Sequence, residues 1–260
     1  MATSSNAGRA QKARPVSQQS RARNLWENFK SIVGALAIFL ILRAFLVEAY
    51  RIPSGSMIPT LLVGDWLFVN KAIFGAHVPF THSSLPAYRE PRRGDVVVFV
   101  SPYQADEAAR GADPTPTLVK RLVGTPGDTL YMRNGILYVN GIAQRQGYGA
   151  GPIDPAVGGS VDPLFEWQTK VGLKSSRFGA APAQPSHDNW GPLIVPAQRL
   201  FMMGDSRYNS KDSRYWGFVP RENVRGKPLF VYYSYNADDS DRPVPMLTDI
   251  RWSRIGHWIK

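Results

Sequence analysis

The chain of 260 residues contains no cysteine and only four histidines. Without thiols there is no disulfide framework, no thiolate nucleophile, no iron–sulfur cluster and no cysteine-based zinc site. His77, His82, His187 and His257 stand in loops and the tail at no fixed spacing from an acid, so a Ser-His-Asp triad has no support in the sequence. Acidic residues are scarce as well: 20 Asp and Glu face 31 Lys and Arg, a net charge of +11. Apolar runs long enough to span a bilayer are limited to one near the amino terminus, and no later stretch returns. No internal repeat occurs, since "DSRY" at Asp205 and Asp212 is too short to be one.

What is present excludes disorder of the whole chain, because 43% of residues are hydrophobic and 12% aromatic. The 23 Gly and 21 Pro favour many turns between short strands over a helical bundle, so the expected fold class is mostly β.

The positive charge is concentrated at the amino end. Residues 1–30 hold Arg9, Lys12, Arg14, Arg21, Arg23 and Lys30 against Glu27 alone, set among Ala, Ser, Gln and Asn, which reads as a disordered basic arm. The arm leads into "SIVGALAIFLILRAFLVEAY", Ser31 to Tyr50, apolar from Ile32 to Leu42 and again from Ala44 to Val47. About 20 residues suffice for a spanning helix, and Arg43 can snorkel to the interface. The excess of Lys and Arg before the span places the arm in the cytoplasm and everything after Tyr50 outside. A removable signal peptide, with Val47-Glu48-Ala49 spaced like a cleavage site, and a buried core helix are the other readings open here. The arm shows no helix-turn-helix pattern, which favours a lipid bilayer over nucleic acid as the partner of this charge.

From Arg51 onward, "DWLFVNKAIF", "DVVVFVS", "TLVKRLVG", "TLYMR", "ILYVNG", "RLFMMGD" and "PLFVYYSY" read as short strands. Asn134-Gly135 predicts a type I′ hairpin turn, and Asn140-Gly141 turns the chain again. Loops fall at residues 75–93, 104–117 and 147–190. The last, with little periodicity, is an inserted subdomain of about residues 146–190 within a β-rich domain of residues 51–260. "NADDSDRPV" lacks the spacing of a calcium loop and reads as a solvated turn. Trp252, Ile255, Trp258 and Ile259 are expected to pack on the domain rather than meet the membrane interface.

Three segments carry possible chemistry. Ser54 and Ser56 lie in a Pro- and Gly-bounded loop just after the span, although loop serines are usually turn formers and no "GxSxG" elbow is present. In "LVKRLV", two-residue alternation puts Lys120 and Arg121 on opposite faces of an apolar strand, so one charge is expected to point inward. Burial lowers the pKa of a lysine and lets it act as a general base, whereas Arg121 stays charged and needs a carboxylate. Two side chains snorkelling from an edge strand are the plainer alternative. "GDSRYNSKDSRYWGFVP" from Gly204 is dense in hydroxyls, carboxylates and arginines, suited to a hydrogen-bonded surface loop or to groups that orient a neutral lysine.

Taken in order, "PSGSMIPTLLVGDWLFVNK", "RRGDVVVF", "VKRLVGTPGD" and "GDSRYNSKDSRYWGFVP" resemble the successive sequence boxes of bacterial type I signal peptidases. The resemblance covers about residues 31–128 and 195–233. It implies a single amino-terminal transmembrane helix followed by an antiparallel β-rich catalytic domain. It implies, too, a serine endopeptidase of the bacterial cytoplasmic membrane that removes signal peptides from exported preproteins, cutting after small residues at −3 and −1. Ser56 is then the nucleophile and Lys120 its general base, with no metal or cofactor. Ser54 and the Ser56 N–H form the oxyanion hole, Ser210 orients the lysine, and Asp212, Arg214 and Arg121 support it. Ile52, Pro53 and Met57 line the substrate pocket. Ser206 and Tyr208 depart from the family's usual Asn and Asp. A family member restricted to one substrate class, such as a conjugation pilin, and a non-catalytic anchored β domain are the alternatives.

Overall fold

The structure, a computed structural model, describes residues 18–78, 81, 83–149, 151 and 159–260. It divides into two compact units, residues 1–42 and 43–260. Helix α1 runs from Gln18 to Phe45, and its stretch Arg23–Phe45 is long and apolar enough to cross a membrane. Leu25, Ile32, Leu36, Phe39 and Ile41 are exposed on it.

Both ends of the expected span therefore differ. The helix begins within the supposedly disordered arm, where Gln, Arg, Ala and Leu are good helix formers, and residues 1–17 lie outside the described part. Its other end comes before Tyr50, because Val47–Arg51 forms strand β1. Alternating exposure along β1 and pairing from Val47↔Asn70 to Arg51↔Trp66 claim those residues for the sheet.

The remaining strands are β2 (Asp65–Asn70), β3 (Val96–Val100), β4 (Thr117–Gly124), β5 (Thr129–Arg133), β6 (Ile136–Val139), β7 (Ile142–Ala143), β8 (Trp190–Ile194), β9 (Arg199–Met203), β10 (Val219–Pro220) and β11 (Val224–Ser234). They form a seven-stranded sheet in the order β1-β2-β11-β3-β4-β9-β10 and a four-stranded sheet β7-β6-β5-β8, with every pairing antiparallel. Asn134 and Gly135 have φ of 50° and 74°, and Asn140 and Gly141 54° and 87°, as two-residue hairpin turns of the primed type require.

Strand β3 is apolar throughout because both its faces are covered. Val96 and Val98 join Ile52, Met57, Leu67, Val69 and Val231, whereas Val97 and Phe99 join Phe74, Leu122, Met202 and Val224. A third cluster, with Leu130, Leu137, Trp190, Leu193 and Phe201, binds the smaller sheet to β4 and β9. Of the carboxy-terminal apolar residues only Ile259 is buried; Trp252 and Trp258 remain exposed, Trp258 edging Phe230. The packing that the sequence predicts for all four holds for Ile259 alone, with Ile255 exposed as well.

Candidate active site

Ser56 sits in a tight turn held from three sides. Pro53 restricts Ile52 to an extended conformation, and the Ile52 N–H donates to the Asp65 carbonyl at 2.8 Å. Gly55–Met57 then makes one 3₁₀ turn closed by the Ile58 N–H on the Gly55 carbonyl, with the Met57 side chain buried beneath. The Ser206 N–H donates to the Ser56 carbonyl at 3.1 Å and ties this turn to the loop after β9. The first N–H groups of a helical turn lack acceptors within it, which leaves the Ser56 N–H such a group. Ser54 precedes the turn, exposed and without a side-chain capping bond.

Lys120 lies opposite Val97 on β4, is 4% exposed, and its Nζ is hydrogen-bonded to Ser56 Oγ. Burial, reinforced by the Arg214 charge, pushes its pKa down to about 8 against the opposing pull of Asp212 and Asp205. At that value about a tenth of the amine is neutral at pH 7, against well under a hundredth for an ordinary lysine, and its lone pair can take a proton.

The expectation that one of the two adjacent charges points inward is corrected, since Arg121 is buried too. Its guanidinium makes a two-pronged ion pair with Asp205, Nε to Oδ1 at 2.7 Å and Nη2 to Oδ2 at 2.6 Å. Nη1 donates to the carbonyls of Gly94 and Lys260, and Thr60 Oγ1 bridges to Asp205. This satisfies the arginine's need for a carboxylate, and Asp205 and Thr60 are supporting residues that sequence reasoning missed. The "GD" before the "SRY" was the available signal.

Asp212 is fully buried and accepts from the Gly204 N–H and from the Arg214 N–H, Nε and Nη2. Burial opposes its ionisation most strongly, but Arg214 overcomes this and holds its carboxyl below the usual range. Ser210 is also buried, and among the described residues its Oγ has no hydrogen-bond partner, so the bond from Ser210 to the lysine that the resemblance implies is not formed there. Its nearness to the dyad depends on Gly204, where an added Cβ would lie 2.2 Å from Ser210 Oγ and 2.5 Å from the Ser56 carbonyl oxygen.

Two clefts flank the pair. One of about 70 Å³ is lined by Ile52, Pro53 and Met57 together with Ser54, Ser56 and Lys120, and Pro53 is the exposed one of the first three. The other, about 260 Å³, lies between Ser54, Ser56, Lys120, Gln104, Glu107 and Lys211. A larger cavity of about 830 Å³ is lined by Arg92, Arg93 and Arg221 and contains neither Ser56 nor Lys120. Of the histidines, His187 is bonded to Tyr215 and His77 to Ser84, neither to Ser56, and His82 lies outside the described residues.

The family model for signal peptidase, peptidase S26, matches residues 25–233. The chain belongs to this signal peptidase family. Signal peptidase I of Pseudomonas fluorescens is 38% identical over 250 residues, 89% of this chain and 78% of its own length. That of Pseudomonas aeruginosa is 36% identical over 252 residues, again 89% and 78%, and that of Buchnera aphidicola from Acyrthosiphon pisum 31% over 275 residues, 91% and 83%. As a member of the signal peptidase family the protein is a hydrolase of the serine-protease class that acts on signal peptides.

Proposed function

We propose that the protein cleaves signal peptides by a Ser56–Lys120 dyad. The observation that carries this is the hydrogen bond between the half-buried Ser56 hydroxyl and the amine of a lysine that is 4% exposed. Neutral Lys120 accepts the Ser56 proton as Oγ attacks the carbonyl carbon, and the oxyanion is met by the Ser56 N–H and the Ser54 hydroxyl. The lysine then protonates the departing amine, leaving an acyl-enzyme that water hydrolyses with Lys120 again as base. Ile52, Pro53 and Met57 receive small side chains at −3 and −1, which suits a cleft of about 70 Å³. Asp212 and Arg214 keep the lysine's surroundings charged but paired, Arg121 fixes the neighbouring backbone, and Ser210 lies within the same support.

Helix α1 anchors the enzyme in the bacterial cytoplasmic membrane, with residues 1–30 inside and residues 51–260 outside, where exported preproteins emerge. The test is cleavage of a purified preprotein by detergent-solubilised enzyme, with sequencing of the new amino terminus. Wild type cuts after an Ala-x-Ala site, and Ser56→Ala and Lys120→Ala each lose activity by at least a thousandfold while remaining folded. An active Lys120→Ala enzyme would sink the dyad.

A further inference from the structure

The inserted segment grips the loop that supports the lysine. Trp167 Nε1 and Gln168 Nε2 both donate to the Arg214 carbonyl, at 2.8 and 3.0 Å. Tyr208 OH donates to Asp188 Oδ1 at 2.7 Å, His187 Nε2 is bonded to Tyr215 OH at 2.9 Å, and Arg207 Nη1 donates to the Gly149 carbonyl at 2.7 Å. Phe165 fills the space between, its ring against His187 and Tyr215. All four partners, Arg207, Tyr208, Arg214 and Tyr215, belong to the segment after β9 that also carries Asp212. Gln168 is 1% exposed and Arg214 fully buried, so the bond between them is an interior one with no water to replace it, and the bond from half-buried Trp167 lies beside it. Tyr208 and Tyr215 each bring a hydroxyl across to the segment.

We propose that Trp167, Gln168, His187 and Asp188 are positioning residues for the reaction: they hold the Arg207–Tyr215 loop, and with it the Asp212–Arg214 pair, closed behind Lys120. The inference rests on the Ser56–Lys120 reading. Loosening the grip lets water reach the amine, whose charged surroundings are Asp212, Arg214 and Asp205 behind it and Glu107 and Lys211 across the cleft. Hydration favours the ammonium form, so less neutral base remains at a given pH.

The experiment uses full-length enzyme in detergent and a preprotein substrate. Trp167→Phe with Gln168→Met removes both donors to the Arg214 carbonyl while keeping the ring and most of the volume. Tyr208→Phe removes one hydroxyl, and Lys170→Ala, exposed on the same helical turn, is the control. Expected for the double variant are a kcat lowered about tenfold with KM unchanged, and an acid limb of kcat/KM moved upward by about half a pH unit or more. Tyr208→Phe moves both in the same direction by less, and Lys170→Ala moves neither. A double variant and a Tyr208→Phe enzyme with wild-type kcat and wild-type limb would overturn the proposal, as would losses that track the unfolded fraction seen by circular dichroism. Failure of the dyad itself reads differently: Lys120→Ala, assayed beside them, would then remain active.

Discussion

At the scale of single residues, the proposed dyad turns on how dry Lys120 is. An exposed lysine at neutral pH is almost wholly protonated and no base, whereas this one, buried beside Arg214, has its pKa lowered to about 8. The sign follows directly: the folded protein holds the active, neutral form above that value and loses it below. Hence kcat/KM falls about tenfold per pH unit below pH 8 and levels off above it. A profile for a neutral preprotein that stays flat from pH 6 to 9 would contradict a lysine base. The candidates themselves were legible in the sequence, Lys120 from a charge inside an apolar strand and Ser56 from the resemblance of its loop. That both charges of "KR" are buried was not, because alternation assigns faces but says nothing of what covers them. Strand β4 has β3 and β9 along its edges, and every residue from Lys120 to Gly124 is buried, so both of its faces are covered over that stretch.

At the scale of elements, the site is a junction between β4 and the loop after β9, and ion pairs close it. Arg121 to Asp205 joins the two, with Thr60 from the serine loop as a third member. Asp205→Ala leaves a buried guanidinium with only carbonyl and hydroxyl partners. The expected cost is about 3 kcal/mol in chemical denaturation, and a change below about 0.5 kcal/mol would show that the pair does not hold the junction. Hairpin turns were readable because Asn-Gly is one of the few pairs at ease with positive φ at two successive positions. Strand β8 was not, since "WGPLI" carries a glycine and a proline in a run of five, and only its pairing with β5 and the bonds from Arg133 to the Trp190 and Gly191 carbonyls make it a strand. Likewise β1 reads as the end of an apolar helix until β2 claims its backbone.

At the scale of the whole molecule, an apolar helix precedes a β-rich unit carrying the Ser–Lys pair. Among the described residues the exposed apolar side chains of α1 have no cover, which is costly in water and neutral in lipid. Protease added outside sealed spheroplasts is therefore expected to digest residues 51–260 and to spare a tag placed on the amino terminus. Digestion of the tag in intact spheroplasts would reverse the proposed orientation.

Local physics carried the amino-acid sequence a long way by itself. The apolar run from Ile32 to Leu42 marks the middle of α1, Asn-Gly marks the hairpins, and "VVVFV" marks a strand, since each depends only on neighbours in the chain. The partners 64 residues apart, Lys120 and Ser56, and 84 apart, Arg121 and Asp205, became pairs only in the tertiary structure. So did the interior bonds from Trp167 and Gln168 to Arg214. Desolvation and ion pairing depend on which side chains exclude water from a point in space, and that is a property of the packed fold rather than of any one segment.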